Sequence, residues 1–327
     1  MRHRLMFISL PLVALFLAVS PTALASTKWY VDGVNGSDNN NCKSRKHACK
    51  TIGHAISLAG SGDSIMVAAA TYTENVNIGI SLKVIGSGAK TTIIDGRGSS
   101  TVVIISNANA HATLSKLTIQ NGSSSGIYDK GTLTINNSTV AGNGCCGGSG
   151  GSGGGISNSG TLTINNSTVS GNSSIGFANG GGILNRGTLT INNSTISGNT
   201  ARYGGGIETY QASTATQNSI VANNSGGNCQ GTMTSNGYNL SSDGSCNFNG
   251  TGNLNNTDPK LGPLQNNGGP TQTQALLSGS PAIDAGNPSG CTDGNGRLLK
   301  TDQRGKPRPD KEDTGGCDMG AYERQKD

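Results

Sequence analysis

The side chains that could perform acid–base chemistry are few, and the basic ones lie along one repetitive stretch of the chain. Lys130 and Arg186 occupy equivalent positions two repeats apart, and Arg202 follows in a nearby loop. A positioned lysine or arginine could remove a proton from an acidic sugar, which is the step that a polysaccharide lyase needs. Long basic side chains on strand edges also serve solubility and discourage edge pairing. We favour this second interpretation and predict no catalytic residue.

Carboxylates are missing from the same stretch. From Lys130 to Ile207 the chain contains no Asp or Glu, and the acids that flank it are Asp129 and Glu208. Glycoside hydrolysis needs two carboxyl groups about 5 to 10 Å apart. We expect Asp129 and Glu208 to lie at opposite ends of the repeats, so the repeats cannot assemble such a pair. His111, a lone histidine near the start of a predicted strand, is interpreted as structural.

Acids gather after the repeats, in turns rich in Gly and Pro: Asp284, Asp293, Asp302, Asp310, Asp313, Asp318 and Glu323. Aspartate in such turns usually accepts hydrogen bonds from the turn itself. The spacing does not match a calcium-binding loop of the EF-hand type. We predict no cofactor-binding and no metal-ligating residue. Calcium, at these acids or at Asp32 and Asp38, is the alternative that the sequence leaves open.

A repeated phrase must position these side chains. Thr-Leu-Thr-Ile-Asn-Asn-Ser-Thr begins at Thr132, Thr161 and Thr188, with intervals of 29 and 27 residues. Leu and Ile alternate with Thr inside the phrase, which is the pattern of a strand with one buried face. Asn136-Asn137 tolerates the left-handed backbone of a tight corner, and a second short strand is predicted immediately after it.

A third short element, Gly-Gly-Gly-Ile, precedes each phrase, and a weaker version stands at residues 125–127. Three short strands in every 20 to 30 residues predict a parallel β-helix, whose coils stack about 4.8 Å apart. A β-propeller, the alternative, needs four strands in about 40 to 45 residues. Residues 113–119 read as an earlier coil and residues 218–224 as a later one.

Stacking would align the asparagines of successive coils. The predicted ladders are Asn143 over Asn172, Asn199 and Asn224, and Asn158 over Asn185. Such ladders hydrogen-bond their own corners, so we interpret them as structural. The Thr pairs of the phrases would face outward: Thr132 with Thr134, Thr161 with Thr163, and Thr188 with Thr190. Ranks of outward Thr could order water or ice, but Thr is also a favourable residue on exposed strands.

Composition and cysteine count point to a narrow, exported protein. Aromatic residues make up 4% and Gly 52 of 327 residues, which would fill a compact globule poorly. Residues 1–25 have the basic start, apolar run and Ala-Leu-Ala end of a secretory signal peptide. A net charge of +5 is too small to predict nucleic-acid binding. We expect no membrane span in the mature chain, and the sequence gives no oligomeric state.

Eight cysteines in an exported chain favour disulfides over metal binding. We predict pairs between neighbours in sequence: Cys42 with Cys49, Cys145 with Cys146, Cys229 with Cys246, and Cys291 with Cys317. The pairing of Cys145 with Cys146 is left open, because a bridge between adjacent cysteines strains the backbone.

The beginning of the mature chain resembles exported pectin-lyase-like β-helix proteins. The resemblance rests on Tyr-Val-Asp-Gly at 30–33, Cys-Lys-Thr-Ile at 49–52, Gly-Asp-Ser-Ile-Met-Val at 62–67 and Tyr-Thr-Glu-Asn-Val at 72–76. It implies a right-handed β-helix and a short amphipathic helix over residues 51–59 that closes the first coil. Ile52, Ala55, Ile56 and Ala59 share one face of that helix.

The last third of the chain resembles the choice-of-anchor Q domain of bacterial surface proteins. The motifs include Asp-Pro-Lys-Leu-Gly-Pro-Leu at 258–264, Ser-Pro-Ala-Ile-Asp-Ala-Gly at 280–286, Asp-Gln-Arg-Gly-Lys-Pro-Arg-Pro at 302–309 and Cys-Asp-Met-Gly-Ala-Tyr-Glu at 317–323. This resemblance implies an exported bacterial protein with a surface role. Members often end in an anchoring signal, which this chain does not show, so we expect release or non-covalent retention.

The predicted organisation is a signal peptide (1–25), an N-terminal cap with the first coils (26–75), β-helix repeats (76–226) and a choice-of-anchor Q-like region (227–327). The predicted function is a non-enzymatic, secreted or surface-associated scaffold, whose Asn-, Ser- and Thr-rich wall contacts a polysaccharide or cell-surface glycan. The alternative is a polysaccharide lyase or glycoside hydrolase with its site in the loops around residues 129, 186, 202 and 208. Fold alone does not decide between them.

Overall fold

The computed structural model describes residues 26–87, 91–145, 153–176, 179–311 and 316–326. These residues form a right-handed parallel β-helix in which each full coil contributes one strand to each of three sheets, here called A, B and C. The predicted fold class and the three strands per coil are confirmed. The predicted signal peptide, Cys146 and Asp313 lie outside the described residues.

Sheet A contains the phrase strands and their equivalents in other coils. Its described strands are Lys28–Val31, Ser64–Val67, Leu82–Gly86, His111–Ser115, Thr132–Asn136, Thr161–Asn165, Thr188–Asn192, Ser213–Gln217 and Thr234–Ser235. The three phrases pair in identical register, so Leu133, Leu162 and Leu189 stack inside the helix. All three leucines are buried, and each contributes about 1.5 to 3 kcal/mol of hydrophobic stabilisation. The period-2 pattern thus places the Leu side chains in the core and the Thr side chains outside.

Sheets B and C complete the coils. The described strands of sheet B are Thr71–Thr73, Ile93–Asp95, Thr118–Gln120, Thr139–Ala141, Thr168–Ser170, Thr195–Ser197, Ile220–Ala222 and Leu240–Ser241. Those of sheet C are Val76–Ile78, Thr101–Ile105, Ser125–Asp129, Ile156–Asn158, Ile183–Asn185, Ile207–Thr209 and Cys229–Gln230. A short parallel pair, Gly144–Cys145 with Ser173–Ser174, lies between sheets B and C. The earlier and later coils predicted from residues 113–119 and 218–224 are both present.

The corner from sheet A to sheet B turns through one left-handed residue. Asn137, Asn166, Asn193 and Asn218 occupy it with φ between 48 and 54°. Asparagine adopts this conformation more readily than other side chains, because its short polar group hydrogen-bonds locally. The Asn-Asn dipeptide of each phrase therefore fixes where the chain leaves sheet A, as predicted.

The N-terminal end is closed by a 3-10 turn, Arg45–His47, and a helix, Ile52–Leu58. Thr51 caps the helix by accepting a hydrogen bond from the backbone N–H of His54. Ile52 and Ala55 are buried against the first coils, so the predicted capping helix is confirmed. The disulfide between Cys42 and Cys49 closes the loop beside it. No helix among the described residues is long and apolar enough to cross a membrane.

The chain after the coils returns along the outside of the β-helix. An antiparallel pair, Leu261–Gln265 with Thr273–Leu276, precedes a segment of turns. Residues 267–311 and 316–323, here called the C-terminal cover, lie across the A–B corner and the outer face of sheet B. Disulfides between Cys229 and Cys246, and between Cys291 and Cys317, confirm two further predicted pairs. Disulfides of this kind are typical of extracellular proteins.

Hydrogen bonds from several coils hold the C-terminal cover in place. The Gln303 amide joins Thr139 and Thr168 of successive sheet B strands, and the N–H of Ala321 donates to Thr195 Oγ1 at 3.1 Å. At the A–B corner, the Nδ2 groups of Asn166 and Asn193 donate to backbone carbonyls of the cover. At the A–B corner and on sheet B, the polar wall that we predicted as a contact surface is therefore covered by the chain itself. For the outer face of sheet A, the contact surface stays a prediction. The outward Thr of sheet B meet the chain's own C-terminal cover.

Candidate functional site

The first asparagine ladder is structural, as predicted. Asn143, Asn172, Asn199 and Asn224 are buried, and each Nδ2 donates to the Oδ1 of the next at 2.9 to 3.0 Å. Asn228 extends the ladder by one step. Each of the first three Nδ2 groups also donates to a backbone carbonyl of its own corner and to one of the preceding coil. With its polar groups satisfied internally, this ladder leaves nothing for a ligand.

A second ladder begins with a carboxylic acid. Asp129, Asn158 and Asn185 hold the same position in three successive coils of sheet C. In each coil the Oδ1 atom accepts the backbone N–H two residues later, from Gly131, Gly160 and Gly187. Asn158 Nδ2 donates onward to Asn185 Oδ1 at 2.8 Å. Asp129 thus occupies a place where the following coils have an amide.

Asp129 is fully buried, and its second oxygen, Oδ2, has no hydrogen-bond partner in the described part of the chain. Burial raises the pKa of Asp129 to about 6, while the hydrogen bond from Gly131 acts in the opposite direction. An acid in this position has no route to an external substrate. Asp129 is a structural group that responds to pH.

Glu208 is the other acid that flanks the repeats, and it lies on the opposite face of sheet C. Its side chain points outward, yet it is only 6% exposed. Asn179 Nδ2 donates to Glu208 Oε1 at 3.2 Å, and Oε2 is unpartnered among the described residues. Burial raises the pKa of Glu208, while the bond from Asn179 and the charge of Arg186 lower it.

The two acids do not form a catalytic pair. Asp129 aligns with Thr209 three coils away, a separation of about 14 Å at the usual spacing. Their side chains also lie on opposite faces of sheet C. Retaining and inverting glycosidases need carboxyl groups within about 10 Å of each other and on the same cleft. Asp129 and Glu208 therefore lie apart along the repeats, as expected.

Basic and aromatic side chains gather where sheet C turns into sheet A. Backbone hydrogen bonds place Lys130, Arg186 and Tyr210 at equivalent positions of this corner, with Arg186 two coils from Lys130 and Tyr210 one coil further. All three are exposed. The predicted alignment of Lys130 with Arg186 is thereby confirmed.

Three more side chains belong to this group: Tyr128 on the outer face of sheet C, and Arg202 and Tyr203 in the loop before the strand Ile207–Thr209. Lys130 Nζ lies 5.3 Å from the centre of the Tyr128 ring, and the Arg202 guanidinium lies 5.2 Å from the Tyr203 ring. The carbonyl of Tyr203 accepts from Gly180, next to the Asn179 that binds Glu208. We call the six residues Tyr128, Lys130, Arg186, Arg202, Tyr203 and Tyr210 the basic-aromatic edge.

The basic-aromatic edge combines the two chemistries that an acidic sugar requires. Exposed Tyr203 and Tyr210, at 47 and 53% exposure, offer ring faces for the apolar side of a pyranose. The three cations can bind carboxylates, and arginine can do so with two parallel hydrogen bonds. Sequence reasoning identified the cations but missed the tyrosines. The available signal was the adjacency of Tyr128 to Lys130 and of Tyr203 to Arg202 in a chain with few aromatics.

The outward Thr pairs lie on the solvent face of sheet A. Thr161 and Thr188 are exposed, and their partners Thr163 and Thr190 are half-buried. His111 continues the column of Thr132 and is also exposed. Gly294 of the C-terminal cover donates to Asn165 Oδ1, so the cover borders this face. Ice or water ordering by this face stays a prediction.

The acids outside the repeats act mainly on their own backbone. Asp302 Oδ1 accepts from Arg304 and Lys306, Asp318 accepts from Asp284 and Arg324, and Asp293 accepts from Asn295 and Arg297. Asp32 closes the turn at Val34 and Asn35, and Asp38 binds the N–H groups of Lys50 and Thr51. These contacts agree with the turn-closing interpretation. Calcium binding stays untested.

Cys42, Cys49 and His54 have potential metal-ligating atoms within 4.8 Å of one another. Both cysteines are joined in a disulfide, so neither offers a thiolate. This group is therefore a structural bridge beside the helix cap.

Comparison with known proteins does not assign a function. The sequence matches no protein-family model and no curated protein. Among solved structures, the chain is similar to pectate lyase Pel9A, with 15% identity, a TM-score of 0.41, and coverage of 92% of this chain and 98% of that one. It is also similar to a pectin methylesterase mutant in complex with a hexasaccharide, with 14% identity, a TM-score of 0.35, and coverage of 67 and 71%. Neither similarity is close enough to assign an activity, so function must be argued from this protein's own residues.

Proposed function

We propose that this protein binds an acidic polysaccharide along the basic-aromatic edge and does not cleave it. The observation on which the proposal rests is the alignment of exposed Lys130, Arg186 and Tyr210 at equivalent positions of one corner, with one coil between Lys130 and Arg186. A stacked row of this kind presents cations and ring faces along the coil axis. An extended polymer of acidic sugars can contact several of these side chains at once.

Charge at the edge favours an anionic ligand. Lys130, Arg186 and Arg202 are all exposed, whereas Glu208, the acid on which the charge of Arg186 acts, is 6% exposed and its pKa is raised by burial. A neutral glycan would gain nothing from three cations held at the surface. Carboxylates of uronic acids would form charge-assisted hydrogen bonds with them.

We further propose that the protein acts outside a bacterial cell. The predicted signal peptide, the disulfides and the similarity of residues 227–324 to the choice-of-anchor Q domain support this location. Binding of a cell-surface or environmental polyuronate would then serve attachment.

A lyase is the second candidate, because Arg186 and Lys130 could act as a base. Proton abstraction next to a carboxylate also requires groups that stabilise the resulting charge. Among the described neighbours of Arg186, Glu208 is an acid and would oppose that charge. We therefore favour binding without cleavage.

Titration of polygalacturonate and alginate, with dextran as a neutral control, tests the proposal by calorimetry. We expect saturable binding of the polyuronates that weakens with added salt. The double variant K130A/R186A should bind at least about tenfold more weakly, because each charge-assisted hydrogen bond is worth about 1.5 to 3 kcal/mol.

Lys306→Ala provides the matched control, since Lys306 is an exposed lysine on the C-terminal cover. Its variant should bind like the wild type. Absence of polyuronate binding, or equal loss in K306A, would overturn the proposal. Unsaturated products detected by ultraviolet absorbance, and lost in K130A/R186A, would establish the lyase instead.

A further inference from the structure

A partly enclosed slot lies on the A–B corner of the first coils, away from the basic-aromatic edge. Its volume is about 520 Å³, within the range of about 300 to 1,000 Å³ typical of small-molecule sites. Tyr30, Met66 and Ile85 form its floor, because they stack in register on the outer face of sheet A. We call this feature the apolar slot.

Each end of the apolar slot holds a cation. Arg45 belongs to the loop closed by the Cys42–Cys49 disulfide, and this loop is bonded to Tyr30 through two backbone hydrogen bonds. Lys116 lies at the corner of the coil after Ile85. From Tyr30 to the corner that carries Lys116 the slot therefore spans three coil intervals, or about 14 Å at the usual spacing. A disulfide-closed wall and a strand-built floor make the slot rigid.

The same outer column changes character further along the helix. After Ile85 it continues through Ser115 to Asn136, Asn165 and Asn192. The C-terminal cover bonds the polar part of this corner, including Asn166 and Asn193. None of the residues that line the apolar slot belongs to the cover. Among the residues that the structure describes, the cover thus lies on the polar part of the column and not on the apolar part.

The two ends of the slot differ in charge. Asp32 lines the slot at the Arg45 end. At the other end, the described lining contains no acid, and Lys116 forms no ion pair with any described residue. An anionic group is therefore favoured next to Lys116.

The floor is better suited to a hydrocarbon chain than to a sugar. Met66, Ile85 and the adjoining Val67, Ala68 and Ala69 present no side-chain donor or acceptor. A sugar buried on them would lose hydrogen bonds of its hydroxyl groups to water, at a cost of about 1 to 3 kcal/mol for each unpaired group. A methylene chain would gain about 0.8 kcal/mol for each buried CH₂.

We infer that the apolar slot binds a medium-chain carboxylate, with its hydrocarbon chain along Tyr30, Met66 and Ile85 and its acid group at Lys116. Free fatty acids and related acylated acids share this chemistry. The inference does not depend on polysaccharide binding, because the two sites share no residue.

Calorimetry with decanoate, below its micelle concentration, tests the inference on the full mature chain. We expect one saturable site. Lys116→Ala should weaken binding about tenfold, which corresponds to one charge-assisted contact. Met66→Asp should abolish binding by placing a negative charge in the floor. Decanol should bind at least tenfold more weakly than decanoate.

Two further variants keep the test decisive. Met66→Thr follows the Thr- and Ser-rich pattern of sheet A and should weaken binding severalfold even if Met66→Asp fails to fold. Lys130→Ala removes an exposed lysine from the basic-aromatic edge and should leave decanoate binding unchanged. Absence of saturable decanoate binding by the wild-type protein would overturn the inference. Wild-type affinity for decanoate in both Lys116→Ala and Met66→Thr would also overturn it. If Lys116→Ala weakens decanoate binding and leaves polyuronate binding unchanged, the two sites are separate.

Discussion

The two corners that flank sheet A have opposite environments. At the A–B corner, Asn166 and Asn193 are buried and bonded to the C-terminal cover. At the C–A corner, Lys130, Arg186 and Tyr210 are exposed. Both corners come from the same repeated phrase and its flanks, so repetition alone does not decide which surface meets a ligand. The return path of the C-terminal cover decides it.

The difference also explains why the polar ladders are poor candidates for adhesion. Side chains of the A–B corner and sheet B already bond the protein's own chain, as in the contacts of Gln303 with Thr139 and Thr168. Replacing such contacts by a ligand would first require the cover to leave. The C–A corner needs no such rearrangement.

The largest effect is expected from breaking the covered corner. Arg308 is buried, and its guanidinium bonds Glu323 at 2.6 Å, Asn166 at 3.0 Å and the carbonyl of Gly320 at 2.9 Å. Arg308→Met would leave Glu323 without its cation and should lower the free energy of unfolding by about 3 to 5 kcal/mol. Urea denaturation monitored by circular dichroism measures this. A loss below 1 kcal/mol would show that the cover contributes little to stability.

An intermediate effect is expected beneath the exposed corner, at Asp129. Its pKa of about 6 in the folded protein is above the ordinary value of 3.8, so the folded state holds an extra proton between pH 4 and 6. The contribution of Asp129 to the free energy of unfolding therefore falls as the pH rises through that range, and it is constant above it. The decrease in the free energy of unfolding across this range is about 2 to 3 kcal/mol, since a shift of one pKa unit corresponds to about 1.4 kcal/mol.

Asp129→Asn should remove this dependence. The new amide can donate to Asn158 Oδ1, as Asn158 donates to Asn185. We expect the variant to be about 2 to 3 kcal/mol more stable than the wild type at pH 7 and equal to it near pH 4. Both proteins share the pH dependence that comes from other acids, including Glu208 and Glu74, whose pKa values are also raised by burial, so the comparison removes it. If the difference in unfolding free energy between the two proteins does not change with pH, the assignment of this pH dependence to Asp129 is refuted.

The smallest effect on stability is expected at the exposed corner. K130A/R186A removes two exposed side chains of the basic-aromatic edge. Surface substitutions of this kind usually change stability by less than about 0.5 kcal/mol each. Thermal unfolding should therefore be almost unchanged while polyuronate binding is lost. A large drop in melting temperature would mean that the two corners are both structural.

Much of the fold could be predicted because its signals are local. Alternating Leu and Thr specify strands with one buried face, and Asn137 and its equivalents specify the left-handed corner. Identical phrases then pair in identical register, since a shift by one residue would expose every Leu. The disulfides between Cys42 and Cys49, Cys229 and Cys246, and Cys291 and Cys317 also followed from proximity in sequence.

The C-terminal cover could not be predicted, because its contacts join residues far apart in sequence. Gln303 and Thr139 are 164 residues apart, and nothing in either local sequence indicates the other. The apolar slot could not be predicted for the same reason, because its floor joins Tyr30, Met66 and Ile85 from three coils. For the candidate site, alignment of Lys130 with Arg186 was predictable from the repeats. The contribution of Tyr203 depends on a loop of irregular length and was not.

The position of the C-terminal cover has a consequence for how the protein folds. A bare solenoid can form coil by coil, because each coil contacts only its neighbours. Here the cover residues Gln303, Arg308 and Ala321 bond side chains from three successive coils: Thr139, then Asn166 and Thr168, then Thr195. Coils that would otherwise fray one at a time are joined into a single cooperative unit. Because contacts between distant residues slow folding, we expect the final step of folding to be the late docking of the cover, and the coils to gain their full stability only after that step.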